Sequence, residues 1–287
     1  MSTITAAPGS GVSIVAPRVR ATGAVVGAVL LGVIVVVSIA APVLAPYDPE
    51  AFTLTAILQA PSPAHPFGTD EIGRDILSRV IWGGRPVLVT TIAATLLSLV
   101  IGLIMGTLAS TGRIADTIVT RIADIQLSIP GLVFAMLAIA LTGAHLGNIV
   151  LVLALSAWPL HFRVVRAHAA GVRGLPFTEA STLAGSSAWY RITRNYLPGV
   201  LPLLSVTTGI TATVVALSAT GLSYLGLGVV LPDWGRMIAI SKGHLSDAPW
   251  ASGFPSLALV LFLLSVQLIA AAVSGRARVS LKRSNGV

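Results

Sequence analysis

The amino-acid sequence predicts an all-α integral membrane protein with six transmembrane helices and with both termini in the cytoplasm. Of its 287 residues, 55% are hydrophobic and only 10% are charged, which makes the chain more apolar than a typical soluble domain. The charges are separated by uncharged stretches long enough to cross a bilayer. The basic residues, in turn, collect on alternate connections between those stretches. These three observations indicate that most of the chain lies within a lipid bilayer.

Five uncharged stretches exceed the roughly 20 residues that a spanning helix needs. They lie between Arg20 and Asp48, Arg85 and Arg113, Asp124 and Arg163, Arg194 and Asp233, and Asp247 and Arg276. The apolar part of the first, residues 21–45, is longer than the apolar core of a secretory signal, which has about 7 to 15 residues. We therefore interpret it as an uncleaved first span, with cleavage after residues 43–45 as the alternative.

The third and fourth stretches are too long for one crossing each. Both hold 38 uncharged positions, roughly 57 Å of helix, which is nearly twice the hydrocarbon thickness. In the third stretch, the helix-breaking cluster at 142–147 predicts two crossings joined by a tight hairpin. In the fourth, Gly221, Gly226 and Gly228 come late, ahead of Pro232, and predict one span followed by a broken segment near the opposite interface. The total is six spans.

The distribution of charge predicts the orientation of these spans. Alternating them across the membrane places thirteen of the eighteen Lys and Arg residues on one side and seven of the ten acids on the other. Cytoplasmic connections carry the excess of Lys and Arg, so the tails 1–20 and 276–287 are both expected in the cytoplasm. The net charge of +8 is thus interpreted as a topology signal, and nucleic acid is not expected as a partner.

The sequence lacks the patterns that would support catalysis or a bound cofactor. It has no cysteine, which excludes disulfides and thiolate metal sites. Neither Lys242 nor Lys282 follows a glycine, as a phosphate-binding loop requires, and zinc-protease and nucleophile-elbow motifs are absent. His161 and His168 could share a helix face, but histidines beside arginines at a membrane edge are more often interfacial than ligating. We expect no catalytic residue, no metal site and no cofactor.

A polar, basic segment at 163–194 interrupts the apolar chain between two spans. Within it, Pro176 is a helix-start signal, Glu179 lies in the first turn of the predicted helix, and Gly185 is a helix-stop signal. This pattern predicts a short surface helix with a face of small residues: Ala180, Ser181 and Ala184. Because the chain has no nucleotide site of its own, the segment is a candidate dock for a water-soluble partner. An ordinary amphipathic surface loop is the alternative.

The candidate dock resembles the EAA motif of ABC importer permeases. That motif reads Glu-Ala-Ala, three residues, Gly, nine residues, Ile, one residue, Leu-Pro. The matching residues here are Glu179, Ala180, Ser181, Gly185, Leu197 and Pro198. Ser181 replaces the second alanine, and Asn195 stands where isoleucine is usual. In the family this loop docks as a coupling helix into a cleft on the ATPase, so the resemblance implies a mechanical role for these six residues.

Further stretches are similar to the C-type subunits of the dipeptide, oligopeptide and nickel permease group. They are 45–49, 65–79, 222–228 and 234–235, of which 65–79 is the most specific. It contains the external family motif Gly68, Thr69, Asp70, Gly73, Arg74 and Asp75. The C-terminal part differs from the group. The group usually ends in Leu-Gly-Asp-x-Leu-Arg-Asp, whereas this chain has residues 265–270 followed by Arg276.

The resemblance implies a type I ABC importer permease fold with an N-terminal domain at 21–84 and a five-helix core at 85–275 that contains the coupling loop 163–197. It also implies four kinds of partner: a second, homologous permease subunit in a heterodimer, two ABC ATPase subunits, an external solute-binding protein, and the lipid of the cytoplasmic (inner) membrane. The implied function is ATP-driven import of peptides by alternating access, with nickel or a metal chelate as the alternative cargo.

Two other classes of function are alternatives to an ATP-driven permease. A secondary transporter or channel would more naturally carry ionisable groups at membrane depth, and the centres of the proposed spans carry none. A membrane-embedded enzyme would show acids or histidines clustered at one interface. Both alternatives therefore have less support in the sequence than an ATP-driven permease.

Two less specific features complete the expectations. Thr207, Thr211 and Ser218 lie on one narrow stripe of the fifth span and are candidates for lining a transport pathway. The alternative is that these hydroxyls bond to a neighbouring helix or to their own backbone. The acidic external segment 51–84 could receive the binding protein, although a cluster of charges is usually a solvated face.

Overall fold

The fold is described from a computed structural model that covers residues 17–229 and 231–284. Most of the tail 1–20 and the last three residues of the tail 276–287 lie outside the described residues. The helices are, in order, α1 (Pro17–Ile39), α2 (Ala41–Leu44), α3 (Ile76–Ala109), α4 (Arg113–Leu127), α5 (Gly131–Thr142), α6 (Leu146–Arg173), α7 (Pro176–Leu183), α8 (Ala188–Tyr190), α9 (Leu197–Tyr224), α10 (Trp234–Ser241) and α11 (Pro249–Ser284). Across these ranges, strand-like pairing is limited to one bridge between Thr69 and Asp75, as an all-α fold requires.

The described residues contain five candidate crossings, or six when one bent pair of helices is counted as a single span. Five helices are long and apolar enough by themselves: Thr22–Ile39 within α1, α3, α6, the stretch Arg191–Tyr224 that includes α9, and Pro249–Val273 within α11. The sixth crossing is α4 followed by α5, which meet at an angle of 87°. With 12 residues, α5 reaches only about 18 Å and cannot span the roughly 30 Å hydrocarbon layer alone.

The bend between α4 and α5 differs from the expected third span, which was to begin after Asp124. The chain is already helical before this residue, and Asp124 Oδ1 accepts a hydrogen bond from Arg163 Nη2 of α6 at 3.1 Å. The helix instead breaks at 128–130, because Pro130 has no N–H to donate and disfavours helical geometry at the residue before it. A count of uncharged positions misses this boundary, since a paired charge does not end a helix.

Both turns predicted inside the long uncharged stretches are confirmed. Between α5 and α6, Gly143 has a φ of +88°, and Asn148 Nδ2 donates to the carbonyl oxygen of Thr142 at 2.8 Å. After α9, Gly226 has a φ of +83°, and Leu227 N donates to Leu222 O at 2.8 Å. Glycine provides the left-handed conformation in both turns at little steric cost.

The start of α3 is a further departure from the sequence expectation. The helix begins at Ile76, inside the segment 51–84 that was assigned to the exterior. Asp75 caps it, because its Oδ2 accepts a hydrogen bond from Ser78 N at 2.8 Å. With 34 residues, α3 is about 51 Å long and therefore extends well beyond the hydrocarbon layer.

Arg85 joins α3 to the C-terminal end of α1. Its Nε donates to Ser38 O at 2.7 Å and its Nη2 to Ile39 O at 2.8 Å. These carbonyls belong to the last turn of α1, where a helix has no backbone donors left to offer them. The arginine that marked the edge of an apolar stretch in the sequence is thus a cap for another helix.

Helices α3 and α6 pack against each other over much of their length, and glycines of α3 allow a close approach. A Cβ at Gly102 would lie 2.4 Å from His161 Cβ and 2.9 Å from Trp158 O, and one at Gly106 would lie 2.5 Å from Val165 Cβ. Small residues let helix backbones approach closely in membranes, where packing and hydrogen bonds drive association. The two glycines therefore bring α6 against α3 over at least one turn.

The expectation that His161 lies at the membrane interface is wrong. His161 is fully buried between α3 and α9: its Nδ1 lies 3.4 Å from Ser98 Oγ and its Nε2 lies 3.3 Å from Thr208 Oγ1. The reason is that α6 continues past Arg163 to Arg173, so His161 is in the helix interior rather than near its end.

The α3–α6 contact makes a testable prediction about stability. We expect Gly102→Ala to lower the free energy of unfolding by about 1–3 kcal/mol, because the added methyl group overpacks the interface. Thermal unfolding of the purified protein in detergent measures the change.

The matched control is Gly147→Ala in α6, where a Cβ meets nothing within 4 Å. This change is expected to be neutral or stabilising by about 0.5–1 kcal/mol, as alanine normally is in a helix. Equal melting temperatures for the two variants would show that the close approach at Gly102 does not contribute to stability.

Candidate functional site

The segment between α6 and α9 forms a compact polar connection. α6 extends to Arg173, so the connection is shorter than the predicted loop 163–197. Pro176 is the first residue of α7, Glu179 lies in its first turn, and the helix ends at Leu183. Gly185 follows with a φ of +77°, a conformation that favours glycine. The structure therefore contains the short helix that the sequence predicts.

Hydrogen bonds close the turn after α7. Gly185 N donates to Thr182 O at 3.0 Å and Ser186 N donates to Ser181 O at 3.1 Å. The hydroxyl oxygens of Ser181 and Ser186 lie 2.7 Å apart. Ser181, which departs from the family motif, thus adds a side-chain bond across the turn that alanine could not make.

The outer face of this connection is unusually apolar for a polar loop. Leu183 is 90% exposed, Trp189 73% and Phe177 53%. Glu179 and Ala180 are also exposed, and a Cβ at Gly185 would meet nothing within 4 Å. We call these six residues the docking face. Large exposed side chains around a small-residue surface are typical of interaction sites.

The junction with α9 contains an unpaired polar group. Residues Arg191–Tyr196 form a π-helical stretch, and within it the Asn195 Nδ2 atom is buried without a hydrogen-bond partner among the described residues. Isoleucine, the usual residue of the motif, would bury no polar group here. The two remaining motif residues begin α9: Leu197 packs beside Val200, and Pro198 is exposed.

The external family motif forms a buried cluster. Asp70 is 5% exposed and Arg74 9%, and Arg74 Nε donates to Asp70 Oδ2 at 2.7 Å. Arg79 Nη1 donates to Glu50 Oε1 at 3.1 Å and to Pro49 O at 3.0 Å. The alternative of a solvated face therefore does not describe Asp70, Arg74 or Arg79, which are buried. Each arginine has an acid within reach, which makes burial tolerable.

Three other motif residues shape the backbone of this cluster. Gly73 has a φ of +79°, and a Cβ there would lie 2.0 Å from Thr53 O. At Gly68, with a φ of +76°, it would lie 2.6 Å from Gln59 O. The hydroxyl of Thr69 donates to Ala56 O. The motif thus joins the segment after α1 to the start of α3, where Asp75 is also 2.9 Å from His65 Nδ1.

The external cluster also contacts α10 and α11. Trp234 Nε1 donates to Val80 O at 2.9 Å, and the rings of Phe67 and Phe254 stack at 3.9 Å. Asp233 caps α10 by accepting from Gly235 N at 2.8 Å, and burial raises the pKa of its carboxyl group. Sequence reasoning noted Trp234 only as a family resemblance and gave no role to Asp233, Arg79 or Arg85. In the sequence, each of these residues is visible only as a single charge or tryptophan beside an apolar stretch.

The three candidate pathway residues differ in their surroundings. Thr211 is fully buried, Ser218 is half-buried, and the hydroxyl of Thr207 donates to Leu203 O of its own helix at 3.2 Å. The backbone alternative therefore describes Thr207. Two other hydroxyl-bearing residues of α9, Ser205 and Thr208, line a cavity.

Comparison with known families assigns most of the chain. Residues 98–279 match the family model described as "Binding-protein-dependent transport system inner membrane component". Residues 19–61 match the "N-terminal TM domain of oligopeptide transport permease C".

Curated relatives extend over nearly the whole chain. The probable D,D-dipeptide transport system permease protein DdpC of Escherichia coli K12 is 36% identical over 247 residues, which cover 85% of this chain and 83% of the relative. A putative peptide permease protein of Brucella suis is 35% identical over 251 residues, covering 86% and 83%. Identity at this level over such a length indicates common ancestry and a shared fold.

A solved structure supports the fold. The inward-facing MetNI methionine ABC transporter has a chain that superposes with a TM-score of 0.58 at 20% identity, covering 70% of this chain and 97% of that one. The fold is thus that of a type I ABC importer permease. On the strength of these matches, the chain belongs to the family of binding-protein-dependent transport system inner membrane components, the multi-pass permease subunits of ABC transporters.

Proposed function

We propose that this chain is one permease subunit of an ATP-driven importer that carries peptides across the cytoplasmic membrane. In this assembly it pairs with a second, homologous permease and binds two ATPase subunits inside and a solute-binding protein outside. Alternating access moves the cargo. The observation that carries the peptide assignment is that its relatives in Escherichia coli and Brucella suis bear the names of dipeptide and peptide permeases.

The docking face supports a mechanical coupling role for α7. It combines exposed Phe177 and Leu183, which can enter a cleft, with Glu179 for a polar contact. Small residues at Ala180 and Gly185 leave room for the partner's surface. Large apolar side chains around a surface that a partner can approach closely are characteristic of interfaces with hot spots.

The chain around α7 supports transmission of movement into the bundle. α7 follows α6 after only Gly174 and Leu175, and the π-helical stretch leads from it into α9. The cytoplasmic ends of α6 and α9 pack together through Val165, Val200 and Leu204. A displacement of α7 by closing ATPases would therefore act on both helices at once, as rigid-body switching requires.

The first prediction from this proposal concerns coupling at α7. Glu179→Arg and Gly185→Asp are each expected to lower ligand-stimulated ATP hydrolysis and uptake roughly tenfold or more, the cost of losing one hot-spot contact. The assay uses the assembled transporter in liposomes with its binding protein.

Two controls isolate the docking face. Gly112→Asp places the same acid at the cap of α4, where a Cβ meets nothing within 4 Å and aspartate is a favoured residue, so activity is expected to be retained. Gly185→Asn keeps a residue that tolerates the left-handed conformation, and it should lose less activity than Gly185→Asp. Full activity in Glu179→Arg and Gly185→Asp would refute the coupling role.

The second prediction concerns orientation. Because the sequence has no cysteine, single cysteines can be introduced without a background. Leu183→Cys, on the docking face, is expected to react with a membrane-impermeant maleimide only from the cytoplasmic side. Leu54→Cys, at a position that is 69% exposed, should react only from outside. The opposite pattern would invert the proposed topology and exclude ATPase docking at α7.

The third prediction concerns the cargo and the energy source. With ATP inside the liposomes and the binding protein outside, the assembled transporter is expected to concentrate a labelled peptide, and removal of the ATPases should abolish accumulation. Accumulation of nickel or a nickel chelate in place of peptide would replace the cargo assignment. Concentrative uptake by this chain alone would identify a secondary transporter and overturn the proposal.

A further inference from the structure

The external cluster borders a small cavity at the place where it meets α10 and α11. The centre of a water-sized sphere has about 10 Å³ of space there, which is close to what one bound water molecule needs. The wall is formed by residues of the cluster, of α10 and of α11: Asp70, Arg74, Arg79, Met237, Ser241 and Ala251. The cavity is thus too small for a transported solute and has charged and polar groups in its wall.

Arg79 brings a buried N–H group without an acceptor to this cavity. Its Nη1 donates to Glu50 Oε1 at 3.1 Å and to Pro49 O at 3.0 Å. Its Nε is buried and has no hydrogen-bond partner among the described residues. Asp70 Oδ2 lies 3.8 Å from this Nε, which is close enough for an ion pair but too long for a hydrogen bond. A buried donor left unpaired keeps its full desolvation penalty.

Asp70 and Ser241 supply complementary groups. Asp70 Oδ1 accepts from the backbone N–H groups of Ile72 and Arg74 at 3.1 and 2.9 Å, whereas its Oδ2 accepts from Arg74 Nε at 2.7 Å. A carboxylate has about four acceptor sites, so Oδ2 can accept a further hydrogen bond. Ser241 is buried, and its hydroxyl group can both donate and accept. With Arg79 Nε, these groups are the two to four polar partners that a buried water molecule requires.

The balance of charge favours a neutral occupant. Arg74 Nε pairs with Asp70 at 2.7 Å, and Arg79 Nη1 pairs with Glu50 at 3.1 Å. Two guanidinium groups therefore face two carboxylates, and their charges cancel. A cation would lie against two arginines, and an anion would add an uncompensated charge beside Asp70. An apolar group would leave Arg79 Nε without an acceptor.

We propose that one ordered water molecule binds in this cavity and bridges Arg79 to Asp70 and Ser241. It accepts a hydrogen bond from Arg79 Nε, donates one to Asp70 Oδ2, and shares a third with the hydroxyl group of Ser241. A polar contact longer than 3.5 Å is where a bridging water is expected. The water thereby joins the external cluster to α10. This site is independent of the cargo and of the coupling role of α7.

Met237 makes the water detectable. Its side chain is only 4% exposed but lines the cavity. X-ray irradiation converts a bound water into a hydroxyl radical, which oxidises a neighbouring methionine to the sulfoxide. The assembled transporter in lipid nanodiscs is irradiated with a radical scavenger in the bulk solution, and mass spectrometry measures the oxidation. Met237 is expected to be oxidised at a rate that the scavenger does not lower. Full suppression by the scavenger would overturn the proposal.

Two variants and a matched control test the cavity itself. Ser241→Ala removes one polar partner of the water, and Ala251→Val fills the space from α11. Each is expected to lower the scavenger-resistant oxidation of Met237 roughly tenfold, about the equivalent of one hydrogen bond. Ser241→Ala removes an atom and cannot overpack the site, so it serves as the test should Ala251→Val unfold. Undiminished oxidation in Ser241→Ala and in folded Ala251→Val would refute the site.

The control is Ala239→Val, which adds the same side chain to α10 at a half-buried position outside the cavity wall. Oxidation of Met237 is expected to be unchanged in this variant. A tenfold loss there as well would show that the label reports on α10 in general and would count against the water.

A final arm distinguishes water from a small anion. Replacing chloride with gluconate is expected to leave the melting temperature and the oxidation of Met237 unchanged. A lower melting temperature in gluconate would identify a bound anion and overturn the proposal. A high-resolution map of the transporter should also show a peak at about 2.7–3.2 Å from both Arg79 Nε and Asp70 Oδ2. Clear density for these side chains without such a peak would contradict the water.

Discussion

The close approach of α3 and α6 is the constraint on which the rest of this structure depends. Inside a bilayer the hydrophobic effect does not press helices together, so their association relies on packing and on a few polar contacts. Gly102 and Gly106 allow α6 to lie directly on α3, and this contact buries His161 where it reaches Ser98 and Thr208. Since α6 continues to Arg173, the same contact also fixes the point from which α7 projects.

Much of the fold could be predicted from the sequence because its strongest signals are local. The uncharged stretches, the hairpin near Gly143 and the break after Tyr224 follow from hydropathy and turn chemistry. The boundaries marked by charge were less reliable. In the sequence, Asp124 and Arg85 mark ends of apolar stretches. Both nevertheless lie inside helices, and each side chain is hydrogen-bonded to a residue of another helix. Long-range pairing of that kind is invisible to a count along the chain.

The candidate site likewise has local features that the sequence predicts and long-range contacts that it does not. The start and stop signals of α7 are local, so the helix could be located from Pro176 and Gly185. The burial of Asp70 and Arg74 could not, because it depends on Glu50, on Arg79 and on the aromatic contacts made by α10 and α11. Hydroxyl positions on α9 were the weakest inference. Spacing along a helix does not identify the neighbouring helix that a side chain faces. The hydroxyl of Thr207 already has a hydrogen-bond acceptor in its own helix.

Asn195 has a consequence for the balance between conformations of this protein. In the arrangement described, its buried Nδ2 lacks an acceptor among the described residues, and a buried donor without a partner costs about 1–3 kcal/mol. Any rotation of the π-helical stretch that brings a carbonyl oxygen or a water molecule to this atom recovers that cost. Isoleucine would carry no such cost, so Asn195 makes the connection between α7 and α9 less stable in this arrangement than the usual residue of the family motif would.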